Sequence, residues 1–359
     1  MSEPPIIGWD VGGAHLKAAL LNADGSLLQA LQVPCALWRG MNELEIAIDV
    51  ILNKLSVQSA KHAITMTGEL VDLFANRQVG VSEISRVMNS KLNGKKFFYT
   101  GALDSDYAGF VTLDKVKSDW QHIASANWLA SAALLAKHVE YGLLIDIGST
   151  TSDFVLIERH QPVCLGLTDA ARMQTEELVY TGVIRTPLMA VTQKIQFEHT
   201  VTSLAAEYFA TTADVYRLTG DLTAEDDMAD TADGKEKSAP ASAQRIARMI
   251  GHDADDASLN AWHALALEFK LKQVSRLQEV AMKHIERIKH NHNAKIIGVG
   301  AGRFLARQIA ENMNIQYVEL ADIIRNFPPI AESELKHWAS VCFPAYAVAN
   351  LALHKHWTK

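Results

Sequence analysis

The spacing of apolar and polar positions changes along the chain, and each change marks an element. From Pro5 to Gly13 an almost unbroken apolar run reads as a buried strand, interrupted only by Asp10 near its end. A Gly12–Gly13 turn follows, and His15 to Leu21 reads as a second strand paired to the first. The Asp-Gly turn signal NADGS (22–26) then leads to a third strand, LLQALQVP. Leu44, Ile48, Ile51, Leu52 and Leu55 recur at a helical period, so Met41 to Leu55 is predicted as a helix. HAITMTG (62–68) reads as a strand ending on glycine, Val81 to Leu92 as an amphipathic helix, and FFYTG as a further strand.

The alanine-rich stretch 119–139 is predicted as one long helix. A second strand–turn–strand, LLIDIGSTTSDFVLI (143–157), comes next, with a third strand around PVCLGL. Helices are predicted at 242–250, 257–269 and 271–290, then a strand, glycine-rich loop and helix over 294–313, and a last helix over 343–357. The two blocks 6–22 and 143–157 share an apolar strand, an aspartate, a glycine-containing turn and a returning apolar strand. That repetition implies an internal duplication and two similarly built α/β domains. Residues 220–243 (GDLTAEDDMADTADGKEKSAPASA) lack apolar periodicity and are expected to form an exposed loop; the alternative is a mobile flap over 222–241 whose Lys235 and Lys237 swing onto a ligand.

Composition narrows the function classes. With 34 Lys and Arg against 41 Asp and Glu the net charge is −7, which offers no basic footprint for nucleic acid or a membrane surface. Three scattered cysteines, Cys35, Cys164 and Cys342, argue against a disulfide framework and for a reducing compartment. No apolar stretch reaches the roughly 20 residues of a spanning helix, and MSEPPIIGWD has no leader pattern. A cytoplasmic, soluble protein is expected, with a homodimer as one option for its assembly.

The candidate chemistry lies at the turns. Gly12 and Gly13 let the backbone approach a phosphate, with amides as donors, and His15 and Lys17 can add further donors or charge. Asp10 suits a Mg2+ held largely through water. In DIGSTTSD, Asp146, Gly148, Ser149, Thr150 and Thr151 crowd one turn with hydroxyls, a second phosphate cradle, and Asp146 is a second metal and catalytic candidate. Gly298, Gly300, Gly302 and Arg303 open a helix after a strand, as a nucleotide site does, although the same spacing also resembles a dinucleotide fingerprint. Glu69 and Asp72, after the TMTG strand end, are candidate bases, and Arg185 of GVIRTP is a candidate diphosphate contact; surface carboxylates at a helix start and a plain turn before Pro187 are the structural alternatives. His284, His290 and His292 read as solvated on a charged helix end, and Trp120 and Trp128 as core.

The order of WDVGGAHLK, IDIGSTTSDF and GVGAGRF resembles the actin-like ATPase superfamily of sugar kinases, Hsp70 and actin (ASKHA). The resemblance implies two ribonuclease-H-like α/β domains with a central cleft, phosphate and Mg2+ on the first two motifs and adenosine, as ATP or ADP, on the third. The first domain is placed at 1–118 and the second, with inserted helices and the acidic segment, at 119–342. The helix 343–359 has return to the first domain as one option. Ala14 stands where many members carry Thr or Ser, which removes a hydroxyl from the first phosphate loop.

A closer resemblance, over nearly the whole chain, is to the hydantoinase/oxoprolinase-like branch, and within it to proteins of methanofuran- and tetrahydromethanopterin-linked one-carbon metabolism. It is carried by WDVGGAHLKAA, TMTGELVDLF, IDIGSTTSDF, YTGVIRTPL, ATTADVYRLTG, TADGK and RIARMIG. That resemblance implies a transferase joining an aminomethylfuran-methanol diphosphate to the phenol of γ-glutamyltyramine, with pyrophosphate leaving. The alternatives are an ATP-dependent small-molecule kinase, an oxoprolinase-like enzyme, and a non-enzymatic nucleotide sensor.

Overall fold

The first apolar runs assemble into a six-stranded sheet. In the computed structural model, which describes residues 4–57, 59–101, 109–288, 293–324 and 333–353, the strands are β1 (Ile6–Val11), β2 (His15–Leu21), β3 (Leu27–Pro34), β4 (Lys61–Met66), β5 (Lys96–Thr100) and β6 (Gly109–Val111). Their order is β3-β2-β1-β4-β5-β6, with β2 antiparallel and β4 parallel to β1. Helices α1 (Met41–Leu55) and α2 (Arg77–Lys91) join this sheet, as do α3 (Leu113–Ile123) and α4 (Asn127–Ala136).

β1 is buried on both faces, which explains its unbroken apolar run. Ile7, Trp9 and Val11 share a core with Leu44, Ile48 and Ile51 of α1 and Ile84 and Met88 of α2. On the opposite face the terminal helix Phe343–Leu353 lies against β1. Gly8 permits that approach, because a Cβ there would stand 1.9 Å from Ala345 O.

The remaining elements in chain order are β7 (Tyr141–Ile147), β8 (Ser152–Glu158), β9 (Gln161–Val163), α5 (Asp169–Thr175), β10 (Leu178–Val179), α6 (Leu188–Val191), β11 (Lys194–Phe197), β12 (Thr200–Ser203) and α7 (Thr212–Thr219). They continue with α8 (Ala239–Met249), α9 (Leu259–Ile285), β13 (Lys295–Val299), α10 (Arg303–Asn312), β14 (Tyr317–Glu319), α11 (Leu320–Ile323), α12 (Ser333–Val341) and α13 (Phe343–Leu353). The contacts divide the chain into one unit of 1–140, 157–163 and 320–359 and another of 141–156 and 164–319. The second sheet runs β10-β8-β7-β13-β14. Both sheets therefore set a hairpin beside a parallel strand that returns from far along the sequence, the duplication expected from the two motif blocks.

Four expectations change. The helix 119–139 is two helices, broken at Ala124–Ala126, where Ser125 adopts a left-handed φ of 51°. The helices 257–269 and 271–290 are one 27-residue helix, α9, whose stripe through Leu265, Phe269, Gln273 and Leu277 runs on past Lys270. The acidic segment is not a solvated loop. Asp226 and Asp227 are buried, Arg217 makes a two-pronged contact with Asp227 at 2.6 and 3.1 Å, and Arg245, fully buried, reaches Asp233 at 3.0 Å. Lys237 Nζ donates to Asp227 O and the backbone Lys235 N to Asp233 Oδ1, so the Lys237 cation and the main chain at 235 are tied into the segment. Finally, His284 is buried rather than solvated, with Nε2 3.2 Å from Glu176 O and its ring stacked on Phe154. His290 and His292 lie outside the described residues, as does the end of the expected helix 343–357 beyond Leu353. Trp128 is buried and Trp120 packs against the core.

Candidate functional site

The first hairpin closes through Gly12 N donating to His15 O at 3.0 Å, leaving Gly13 and Ala14 at the tip. The carbonyls of those two residues are occupied: Leu37 N donates to Gly13 O at 3.0 Å and Cys35 N to Ala14 O at 2.9 Å. Among the described residues, no hydrogen bond engages their N–H groups. The tip therefore presents donors with its acceptors already used, the arrangement of an anion nest. Asp10 is buried and stands opposite Lys17, half-buried, on β2 and Thr65 on β4. Thr65 Oγ1, fully buried, has no hydrogen-bond partner among the described residues. His15 is buried at the start of β2.

The strand end after β4 packs onto this tip. Thr67 N donates to Val11 O at 2.9 Å, and a Cβ on Gly68 would sit 3.1 Å from both Val11 O and Gly12 O. Glu69 follows in the 3-10 turn Gly68–Leu70 and is 1% exposed. Ser125 Oγ donates to Glu69 Oε1 at 2.7 Å. Asp72 is exposed, so the two carboxylates read from TMTGELVD occupy different environments.

The second hairpin repeats the first. Gly148 N donates to Thr151 O at 2.9 Å, placing Ser149 and Thr150 where the first turn has Gly13 and Ala14. Arg185 N and Ile184 N donate to Ser149 O at 2.8 and 3.1 Å, and Val183 N to Gly148 O at 3.1 Å. The N–H groups of Ser149 and Thr150 take no partner among the described residues, and their hydroxyls lie 3.4 Å apart. Thr150 is thus the positional counterpart of Ala14, and Asp146 that of Asp10. Asp153, the last residue of DIGSTTSD, is drawn away by Arg172 at 2.8 Å and belongs to a buried structural pair.

The glycines of GVGAG do for this hairpin what Gly68 does for the first. Gly302 N donates to Ile147 O at 2.8 Å. Gly300, at φ +83°, would place a Cβ 2.4 Å from Ile147 O and 2.6 Å from Asp146 Oδ1. Gly298 lies under Tyr317, whose hydroxyl would be 2.7 Å from its Cβ, and Arg303 Nη1 turns back to Gly300 O at 3.3 Å. Each of the three has a packing reason, and together they bring the start of α10 against the strand that carries Asp146.

Sequence reasoning missed the residues that hold Arg185 and its loop to the turn. A Cβ on Gly182 would meet Ser149 C and Thr150 N at 2.5 Å. Gln273 of α9, 2% exposed, donates to Gly182 O at 2.9 Å and Thr181 Oγ1 at 2.8 Å, and accepts from Tyr216 OH at 2.5 Å. Thr212 Oγ1 donates to the same Gly182 carbonyl at 2.9 Å, and Thr186 Oγ1 accepts from Gly182 N at 2.8 Å. The only sequence signal was a polar Gln inside the apolar stripe of α9. The stretches ATTADVYRLTG, TADGK and RIARMIG also meet: Arg217 and Arg245 both reach Asp214 Oδ1 at 2.7 Å, and Arg245 continues to Asp233.

No group of three His, Cys, Asp or Glu among the described residues could hold a metal by itself. One carboxylate per turn, with an orphaned buried hydroxyl beside Asp10, fits a Mg2+ that keeps most of its waters and takes phosphate oxygens as further ligands. Among the described residues no helix is long and apolar enough to cross a membrane.

Comparisons with known proteins agree with this architecture. A solved structure of acetone carboxylase in its nucleotide-free form superposes with a TM-score of 0.58 over 97% of this chain and 70% of that chain, at 10% identity, which establishes the fold alone. The (4-{4-[2-(gamma-L-glutamylamino)ethyl]phenoxymethyl}furan-2-yl)methanamine synthase of Methanocaldococcus jannaschii is 28% identical over 86% of this chain and 90% of its own length. The synthase of the same name from Methanococcus vannielii is 30% identical over 45% of this chain and 70% of its own. The hydantoinase/oxoprolinase family model matches residues 61–327, well over half of the sequence. This chain, an α/β protein, belongs to the hydantoinase/oxoprolinase family.

Proposed function

We propose that this protein is a transferase of methanofuran-type cofactor synthesis, joining an aminomethylfuran-methanol diphosphate to the phenol of γ-glutamyltyramine. In that reaction the carbinol C–O bond breaks, its electron pair leaves with pyrophosphate, and the phenol oxygen bonds to the carbon. The observation that carries the reading is the repeated turn, whose carbonyls are consumed and whose amides are left to bind oxyanions. Developing charge on a departing diphosphate is what such preorganised donors stabilise. Asp10 in the first turn and, separately, Asp146 in the second are the carboxylates suited to Mg2+, which when bound would neutralise more of that charge. Arg185, anchored to Ser149 through its own backbone, brings a cation to the second turn. Glu69, on the strand end that packs against the first turn, takes the phenolic proton. The curated relatives, one of them similar over most of its length, carry the name of this synthase; the assignment of the same substrates to this chain is our inference.

The glycine loop at the start of α10 favours a second reading, an ATP-dependent kinase or ligase. One assay separates the two. The protein is incubated with Mg2+, the diphosphate ester and γ-glutamyltyramine, and separately with ATP and γ-glutamyltyramine, while pyrophosphate and ADP are followed. Acceptor-dependent pyrophosphate release without ADP is expected. Acceptor-dependent ADP formation would overturn the transferase reading. Asp10→Asn and Asp146→Asn should each abolish Mg2+-dependent pyrophosphate binding by calorimetry while the circular dichroism spectrum is kept; wild-type affinity in both variants would remove the turns from the site.

A further inference from the structure

The two turns have like backbones and unlike side chains. At the second tip Ser149 and Thr150 bring hydroxyls 3.4 Å apart; at the first, Gly13 and Ala14 bring none. The strand ends packed against the turns differ in the opposite sense. Asp10 is in register with Thr65 of β4, and Asp146 with Val299 of β13. A step further on, Thr67 N donates to Val11 O at 2.9 Å and Gly302 N to Ile147 O at 2.8 Å. Two threonines of the first copy thus answer to a valine and a glycine in the second. The hydroxyls absent from the first tip are present on the strand beside it.

Thr65 and Thr67 are two positions apart, so they share the side of the sheet on which Lys17, Asp10 and Thr65 form one row across β2, β1 and β4. Thr65 Oγ1, fully buried and without a hydrogen-bond partner among the described residues, marks that side as a place where a bound group completes the set. Thr67 is half-buried and opens the 3-10 turn Gly68–Leu70. A threonine there ordinarily accepts from an amide of the turn, yet its hydroxyl makes no such bond. Its Oγ1 faces the neck of the hairpin instead: a Cβ on Gly12 would stand 3.8 Å from it, an ordinary contact. A Cβ on Gly148, the counterpart of Gly12, would find only Thr151 O within 4 Å.

We propose that Thr67 is a phosphate-binding residue: its Oγ1 donates to the phosphoryl group held by the amides of Gly13 and Ala14, the part that the Ser149 and Thr150 hydroxyls take at the second turn. The inference rests on the reading of the turns as oxyanion sites. Thr67 is fixed for this task. Its amide is bound to Val11 O, its β-branched side chain is stiff, and Gly68 behind it sits tight against the carbonyls of Val11 and Gly12. A hydroxyl borne at position 13 would not serve, because a Cβ there would stand 2.8 Å from Val71 Cγ1. Entry from the neighbouring strand avoids that clash.

The test uses the full-length protein with Mg2+ and titrates pyrophosphate in one calorimetric arm and ATP in the other, for wild type, Thr67→Val and Thr67→Ser. Thr67→Val keeps the shape and deletes the hydroxyl; its affinity for pyrophosphate should fall about 10- to 100-fold, the range of a lost hydrogen bond to a charged group. Thr67→Ser keeps the hydroxyl and should bind like wild type. Without ligand Thr67→Val should melt with wild type, since no internal hydrogen bond is lost, and the rise in Tm on adding Mg2+ and pyrophosphate should be smaller. If Thr67→Val binds both ligands as tightly as wild type, the Thr67 role is wrong and the turns remain an oxyanion site. If Thr67→Ser loses as much as Thr67→Val, or Thr67→Val melts well below wild type without ligand, the side chain serves the fold and the proposal is overturned. A loss confined to ATP keeps Thr67 as a phosphate ligand but gives the first turn to a nucleotide, against the transferase reading. If wild type binds neither ligand, the oxyanion reading of the turns falls and the Thr67 role with it.

Discussion

His62 should make the first unit sensitive to mild acid. Its ring is 2% exposed between two fixed partners: Trp9 Nε1 donates to Nδ1 at 3.1 Å, and Nε2 lies 2.9 Å from Asn93 O. The indole can only donate, so Nδ1 is the acceptor and Nε2 carries the proton given to Asn93. A second proton would have to enter at Nδ1, facing the indole N–H. Burial pushes the ring pKa down to about 4 from its ordinary 6.5; the bond to Asn93 O opposes the shift and the charge of Lys96 adds to it. The folded protein thus keeps His62 neutral where the unfolded chain has already taken up a proton. Stability is fully present above pH 6.5, declines as the pH falls, and the loss is complete near pH 4. A gap of about 2.5 pH units corresponds to about 3 kcal/mol. Urea unfolding of wild type and His62→Gln between pH 8 and 4 isolates this group, because all other titrating residues cancel in the difference. The wild-type advantage over the variant should shrink by about 3 kcal/mol across that range. A difference that is flat with pH would refute the reasoning.

Three further outcomes follow from the packing. Gly182→Ala should push the 181–186 loop off the second turn, costing about 1–3 kcal/mol in a thermal melt and weakening pyrophosphate binding measured by calorimetry. Asp227→Ala strips Arg217 of one of its two buried partners; a loss on the order of 3 kcal/mol is expected, with hydrogen-exchange protection of 222–238 lost before that of α7. Ala14→Thr restores to the first turn the hydroxyl that Thr150 gives the second, and should raise ATP affinity about tenfold by calorimetry; an unchanged affinity would detach Ala14 from triphosphate discrimination.

The hairpins, with their aspartates and glycines, were legible because each is built from contacts close in sequence: a period of two, a turn, and a returning strand. So was the duplication, since both copies keep the aspartate two residues before the glycine. Their supporting shell was not. TMTG and GVGAG share almost no residues, and only the parallel pairing of β4 with β1 and of β13 with β7 shows that they occupy the same place. The acidic segment looked solvated because Arg217 and Arg245, which neutralise it, lie on helices outside it. Ser125 was hidden for a similar reason: its hydrogen bond to Glu69 spans 56 positions, beyond the reach of local periodicity. Gln273, 91 positions from Gly182, was equally silent.

In both hairpins the turn is held in shape from outside, by amides of Leu37 in one copy and of Arg185 and Ile184 in the other, rather than by the two residues at its tip. Shape and chemistry are thereby uncoupled. Gly-Ala and Ser-Thr occupy the same backbone mould, with one difference: a Cβ on Gly13 would stand 2.8 Å from Val71 Cγ1, so the first turn is open to new side chains at 14 and closed to them at 13. A chain with two turns braced this way can keep the side chains of one while those of the other change.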